Sequence, residues 1–323
     1  MTVQKQSFPL MRPFVISRGA IDIQDVVVVE LRQGAICGRG EASPSARFGE
    51  TADGVLASIH AARRPIEAAV SRDEIATILP KGAARSVVDS AFWDLEAKRS
   101  GRTVWETIGI AEPRPRESAF TLSLGDPAAM ADAAHAAAGF HVLKLKLGAP
   151  GDLERVRAVR AAAPGKRLIV DANEAWSFDV LKAIVAPFAA LGVELIEQPL
   201  PVGADDALLD FRSPVPLCAD ESCTDRASLA RIAGRYAFIN VKLEKCGGLS
   251  EALALISDAK QRGFRIMVGC RVGSSLGLAP VVVAAQLAEF ADLDGPFLLK
   301  SDRPNGLSLQ DGCVSLPQSS LWG

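Results

Sequence analysis

A chain of 323 residues, 49% of them hydrophobic, can bury a sizeable core in one large domain or two. The net charge of -2 and pI near 6.0, with no basic block, exclude a phosphate-tracking partner such as nucleic acid, and no apolar run approaches the roughly 18 residues of a membrane span. Six scattered cysteines read as reduced core thiols of a cytoplasmic protein, residues 1–5 lead into no signal-type apolar segment, and three histidines in no ligand spacing argue against a zinc site.

Residues 26–31, VVVVEL, and 38–42, GRGEA, predict strands of a meander. Residues 84–98 place Val87, Val88, Ala91, Phe92 and Leu95 at the spacing of an amphipathic helix, and Pro113 and Pro115 mark a linker. Beyond it, Ala-rich helical stretches such as 127–138 and 153–163 alternate with short apolar strands, the pattern of a parallel sheet covered by helices. One of those strands, HVLKLKL at 141–147, puts Leu143, Leu145 and Leu147 on one face and Lys144 and Lys146 on the other.

A polar or thiol residue closes strand after strand at a steady interval. Lys146 is followed by Asp171 after 25 residues, Glu197 after 26 more, Asp220 after 23, Lys242 after 22, Cys270 after 28 and Asp292 after 22. One strand, one helix and two loops fit each interval, and eight strand-like segments lie between about 119 and 299, which predicts a (β/α) barrel. A doubly wound open sheet is the rival, but Gly247-Gly248 lacks the GxGxxG spacing that its nucleotide-binding version uses.

In a barrel the C-terminal strand ends converge on one mouth. Taken alone, each acid there could be a helix cap and each lysine a snorkelling surface group. Acids on three successive strands, flanked by lysines, do not form a capping pattern. Three carboxylates aimed at one point stay ionised only around a cation, and an all-oxygen set selects a hard ion such as Mg²⁺. Asp171, Glu197 and Asp220 are the expected ligands. Lysines on opposite edges, with pKa values lowered by the metal, suit removal of a proton beside a carboxylate and its return from the other face: racemisation or epimerisation. Lys146 is then a base, with Lys144 orienting the substrate carboxylate.

The stretches KLK, DAN, IEQP, ADES and NVKLEKCGG resemble the muconate-lactonizing subgroup of the enolase superfamily along the whole chain. The resemblance implies a (β/α)7β TIM-like barrel at 113–299 behind an α+β capping domain at 1–112, to which residues 300–323 return. Asp292-Leu293-Asp294 resembles the DxD of dipeptide epimerases acting on L-Ala-D/L-Glu, where both aspartates hold the substrate ammonium. ISRG, RFGE, DANEAW, ADESC and VGC are similar to that family as well. By this likeness Lys146 and Lys242 are the acid/base pair, one Mg²⁺ is the cofactor, and Thr121, Lys144 and the Cys270 main chain lie near a small dipeptide. Lys245 is then not the base, since three residues along a strand change its face. Capping loops at 17–24 and 43–50 bring Arg18 and Arg47 as partners for an acidic side chain. Some members of that family carry a further arginine where this sequence has Ile21, a departure that leaves room for a broader dipeptide range. Homo-oligomerisation is left open.

Rivals within the subgroup are N-acylamino-acid racemase, o-succinylbenzoate synthase and cycloisomerase, none of which needs the DxD pair. A Schiff-base aldolase would use Lys146 or Lys242 covalently and would not need three aligned acids. A degenerate barrel serving as a scaffold would not keep every ligand and both lysines.

Overall fold

The computed structural model describes residues 1–69 and 71–323. An antiparallel sheet opens the chain, with β1 (Thr2–Ile16), β2 (Gly19–Gln33) and β3 (Ile36–Ala42) in that order. The valine run of β2 is buried on both faces. Val27, Val29 and Leu31 pack on the helix Ala83–Ser100, while Val26 and Val28 join the core of the second unit. On β3, Gly38 and Gly40 let that helix approach closely, because a Cβ at either position would collide with the main chain at Ala91 or Val87.

The remainder forms a closed barrel of eight strands. After the short β4 (Arg116–Glu117) come β5 (Ala119–Leu122), β6 (Val142–Lys146), β7 (Arg167–Asp171), β8 (Val193–Glu197), β9 (Leu217–Ala219), β10 (Phe238–Val241), β11 (Arg265–Gly269) and β12 (Phe290–Asp292). Each pairs in parallel with the next, and β12 closes on β5. Helices cover six of the seven crossovers, and the one from β8 to β9 carries only the 3-10 turn Asp205–Leu208. No helix of the barrel follows β12, so the architecture is the expected (β/α)7β.

One apolar residue from each strand fills the barrel interior: Ala119, Val142, Ile169, Leu195, Cys218, Phe238, Met267 and Phe290. They form a plug. The leucines of β6 point the other way, into the core shared with the covering helices.

The chain then runs back to the first unit. Leu299 bridges Leu10, and Arg303 Nη2 donates to Glu41 Oε2 (2.6 Å) and Gln6 Oε1 (2.7 Å). Trp322 Nε1 donates to Ser90 O at 3.0 Å. Between them β13 (Leu309–Gln310) and β14 (Cys313–Val314) extend β4 into a small sheet beside the N-terminal end of the barrel. Among the described residues all six cysteines are free, and no helix is long and apolar enough to cross a membrane.

Candidate active site

The mouth follows from the plug by strand parity. Two residues on from a plug member, the next inward position is Thr121 on β5, Lys144 on β6, Asp171 on β7, Glu197 on β8, Asp220 after β9, Asn240 on β10, Gly269 on β11 and Asp292 on β12. Lys146 stands one further step up on β6, and Lys242 stands at the same level just after β10. All these side chains are buried, and Lys144 is 1% exposed.

Strands β6 and β10 are four apart in a ring of eight, so Lys146 and Lys242 face each other across the mouth with the three acid-bearing strands between them on one side. Lys146 Nζ lies 2.6 Å from Asp171 Oδ2, and Lys242 Nζ lies 2.7 Å from Asp220 Oδ2. Lys144 Nζ stands among Glu197 Oε2 (2.7 Å), Asp292 Oδ2 (2.9 Å) and Asp171 Oδ2 (3.4 Å). The expectation for Lys245 needs correction. It sits in the one-turn helix Leu243–Cys246 and not on a strand, so parity does not govern it, and its ammonium reaches Asp220 Oδ1 at 2.7 Å alongside Lys242.

Burial and neighbouring charge divide these acids. Burial raises Glu197, repulsion from Asp171 adds to it, and its pKa reaches about 7 despite Lys144 and Lys242. Burial also opposes ionisation of Asp171, but Lys146 and Lys144 outweigh it and bring the group to about 2. Asp220 is held well below the ordinary range because Lys242 and Lys245 overcome its burial. Burial pushes Lys144 and Lys242 down, yet the surrounding carboxylates hold both above the usual value. Positive charge from a metal is what would relax that hold.

The donor set accommodates such an ion. Among the described residues no three acidic, histidine or cysteine side chains already converge at metal-binding geometry, since Lys144 stands between Asp171 and Glu197. Glu197 Oε1 accepts from Asn240 Nδ2 at 2.7 Å, whereas Oε2 has only the Lys144 ammonium, off hydrogen-bond alignment. Asn173 Oδ1 and Glu221 Oε2 are likewise buried without a donor. A hard cation satisfies oxygens of this kind. Gln198, which sequence reasoning missed, braces the cluster: its Oε1 accepts from the main-chain N–H of Asp220 (3.0 Å) and Ser222 (3.1 Å). Asn173, Glu174 and Gln198 all hold positive φ, strained backbone collected at the strand ends.

Asp292 and Asp294 sit at the other side of the cavity. β12 ends at Asp292, so the 3-10 turn Gly295–Leu298 and not the strand pleat aims Asp294. Asp294 Oδ2 accepts from the Thr121 main-chain N–H at 2.7 Å, and burial together with the charge of Asp292 raises its pKa to about 7. Cys270 lines the same cavity, with its N–H donated to Asp292 O at 2.9 Å.

The capping unit roofs a cavity of about 710 Å³. Residues 17–24 are the tip of the β1–β2 hairpin, not an irregular loop, because pairing continues to Ile16↔Gly19. Arg18 and Arg47 reach the mouth, but both are engaged. Arg47 makes a two-pronged pair with Glu174 (2.6 and 2.8 Å), and Arg18 contacts Glu174 Oε2 (3.1 Å) and Glu221 Oε1 (2.8 Å).

A parallel barrel whose mouth holds three acids between opposed lysines, under an α+β cap, defines a class of barrel enzymes that work at the carbon next to a carboxylate. Residues 1–109 match the mandelate racemase/muconate lactonizing enzyme N-terminal domain, and residues 127–320 match the enolase C-terminal domain-like family. The chain belongs to this family. It is 42% identical to the L-Ala-D/L-Glu epimerase of Escherichia coli (strain K12), over 97% of this chain and 98% of that one. It is also 42% identical to an N-acetyl-D-glutamate racemase of Pseudoalteromonas, over 92% and 95%. A crystal structure of an enolase family member from Agrobacterium tumefaciens with homology to dipeptide epimerases, holding sodium and L-Ala-L-Glu, superposes with TM-score 0.97 at 44% identity, covering 100% and 99%. Other dipeptide epimerases of this fold were solved with magnesium and a dipeptide.

Proposed function

We propose that this protein is a Mg²⁺-dependent dipeptide epimerase acting on substrates of the L-Ala-D/L-Glu kind. The carrying observation is the placement of Lys146 and Lys242 four strands apart around the acids, with the paired aspartates Asp292 and Asp294 at one side. In this reading Asp171, Glu197 and Asp220 hold the metal, and Asp292 and Asp294 take the substrate's terminal ammonium.

Magnesium, when bound, supplies the positive charge that makes the carbon beside a carboxylate acidic and offsets the acids' hold on the lysines. Lys146, as a free amine, accepts the α-proton from one face, leaving a planar carbanion conjugated with the carboxylate. Lys242, as an ammonium, then donates a proton to the opposite face. Configuration inverts, and the two lysines exchange protonation states. Running the steps backwards converts the other epimer. Lys144 steadies the substrate carboxylate, and Thr121 and the Cys270 main chain border it.

The 42% identity to an N-acetyl-D-glutamate racemase supports a second reading, an acylated amino acid as substrate. One experiment separates them. L-Ala-L-Glu and N-acetyl-L-glutamate are incubated in D₂O with Mg²⁺, and α-deuterium is read by mass. We expect uptake and epimerisation with the dipeptide, abolished by chelator and restored by Mg²⁺. Uptake only with the acetylated amino acid moves the assignment to the racemase, and uptake that survives rigorous metal removal sinks both.

We further assign residues 1–112 and 300–323 to the capping unit and 113–299 to the catalytic unit, and place the enzyme in the cytoplasm on its free thiols.

A further inference from the structure

Three arginines line the cavity: Arg18, Arg47 and Arg271. The first two are bound to acids of the protein itself, Glu174 and Glu221. Arg271 is different. It follows β11, so it projects from the barrel wall between Lys242, just after β10, and Asp292 on β12, not from the cap. Among the described residues its guanidinium has no ion pair, and its Nε is buried without a hydrogen-bond partner. It stands beside the Phe48 ring, whose centroid lies 5.8 Å from the guanidinium carbon of Arg271 and 5.8 Å from that of Arg47.

A buried donor left unpaired is costly, and a planar fork in a cavity is suited to a carboxylate. The acid behind the wall does not serve. Glu244 is buried, makes no ion pair with Arg271, and is pushed above the usual carboxylate pKa by burial even with that charge nearby. On the cap, Ile21 and Ile23 offer no charge to a substrate. The cavity therefore contains a single uncommitted guanidinium among the described residues, beside the lysine that reaches the reacting carbon.

We infer that Arg271 is the specificity determinant for an acidic side chain on the epimerised residue, receiving its carboxylate as a two-pronged pair beside Phe48. This rests on the epimerase reading above. It moves the acidic preference from the two cap arginines, which are held by Glu174, to the wall of the barrel. The carboxylate of a glutamyl side chain satisfies the Arg271 fork, and an amide in its place leaves the fork half-paired.

The test is the ratio of kcat/KM for L-Ala-L-Glu to that for L-Ala-L-Gln in the wild-type enzyme with Mg²⁺, in Arg271→Met and in Arg271→Lys. A charge-assisted pair lost on one substrate and absent on the other lowers the ratio about 10- to 100-fold in Arg271→Met, with the loss in KM. Arg271→Lys, which keeps the charge but not the fork, falls in between. Because the readout is a ratio within one preparation, a poorly folding variant does not imitate the effect, and thermal unfolding identifies one. If Arg271→Met does not fold, the ratio in Arg271→Lys decides alone. A ratio that neither variant changes, or a wild-type enzyme that treats both dipeptides alike, overturns the role of Arg271 and leaves the epimerase reading standing. No turnover of either dipeptide by the wild type overturns that reading and this assignment together.

Discussion

Lys146 and Lys242 occupy equivalent levels on opposite walls of the barrel, and each is paired with an acid that the metal is proposed to take over. Such symmetry makes their substitutions informative in a way a single loss of activity is not. Lys146→Ala and Lys242→Ala should each lower epimerisation by at least about 10³-fold, the upper part of what a positioned acid or base contributes. Each should still exchange the α-proton of the one epimer its surviving lysine faces. Deuterium uptake from D₂O, followed separately for L-Ala-L-Glu and L-Ala-D-Glu, checks this, and a variant that epimerises near the wild-type rate would remove its lysine from the pair. A second outcome concerns the aspartates. Burial and Asp292 make Asp294 reluctant to ionise, so a substrate ammonium relieves a strained charge as well as forming a contact. Asp294→Asn should lower kcat/KM for the free dipeptide about tenfold to several hundredfold, at ~1.4 kcal/mol per decade. N-acetylation of the dipeptide should hurt the wild type to a similar degree and the variant far less, since both changes remove one interaction. An equal penalty in the variant would show that the ammonium binds elsewhere.

At the scale of elements, period two carries most of the information. The barrel strands announce themselves by apolar runs closed by a polar residue, and the same parity that buries Ile169, Leu195 and Cys218 in the plug brings Asp171, Glu197 and Asp220 to one level above it. Hence the acids and the KLK lysines are legible in the amino-acid sequence alone. Residues outside regular strands are not. Lys245 lies on a helical turn and Asp294 on a 3-10 turn, Glu174 owes its direction to a positive φ, and Arg271 reads in sequence as an ordinary loop arginine. β1 escapes notice because many of its residues are exposed and show no clean alternation. Two outcomes belong to this scale. Gly269 is the gap in the inward polar layer, and a Cβ there would come within 2.8 Å of Asn240 Oδ1 and 3.1 Å of Lys242 Cε. Gly269→Ala should therefore shift Lys242 and lower kcat by up to about a hundredfold, while thermal unfolding changes only by a few degrees. Unchanged kcat would mean that Lys242 has slack the packing does not suggest. The other outcome concerns pH. Asp89 on the helix Ala83–Ser100 accepts from the Ser250 N–H at 3.1 Å and holds the start of the helix Leu249–Gln261, and burial raises its pKa to about 6. Its folded-state value exceeds the unfolded one, so the protonated form favours folding and stability is lost as pH rises from about 3.8 to about 6, with no further loss from this group above that window. Asp89→Asn should remove this component, roughly 2–3 kcal/mol across the window, from denaturation profiles taken between pH 4 and 7. A variant with the wild-type pH slope would show that other groups set it.

For the whole molecule, the cap must stay over the mouth for the cavity to exclude water, and two sets of contacts fix it there. One is permanent and far from the chemistry: Glu41, with a side chain 0% exposed, accepts from the Ser274 N–H at 2.7 Å and pairs with Arg303, tying β3, the barrel and the returning C-terminal segment together. The other is at the mouth, where the Glu174 carboxylate takes both Arg18 from the β1–β2 hairpin and Arg47 from the 3-10 turn Ala46–Phe48. The side chain of Glu174 is 10% exposed, but Arg18 and Arg47 are 33% and 37% exposed, so solvent screens the pairs and their share of global stability is small. Their effect is local: two cap elements are pinned to one barrel residue. Glu174→Gln removes the charge and keeps the shape. It should leave the thermal midpoint within about 2–4 °C of wild type, yet speed amide hydrogen exchange at residues 17–24 and 45–49 and raise KM for L-Ala-L-Glu about tenfold, because closing the cap then has to be driven by the substrate. The substitution Glu41→Gln should do the reverse, lowering the midpoint by more, since it leaves the half-buried Arg303 without its full partner, while the mouth loops exchange as before. If Glu174→Gln leaves exchange at the hairpin tip and the 3-10 turn unchanged, the cap is held by its packing on the barrel alone, and the arginines of the cap have no part in closing it.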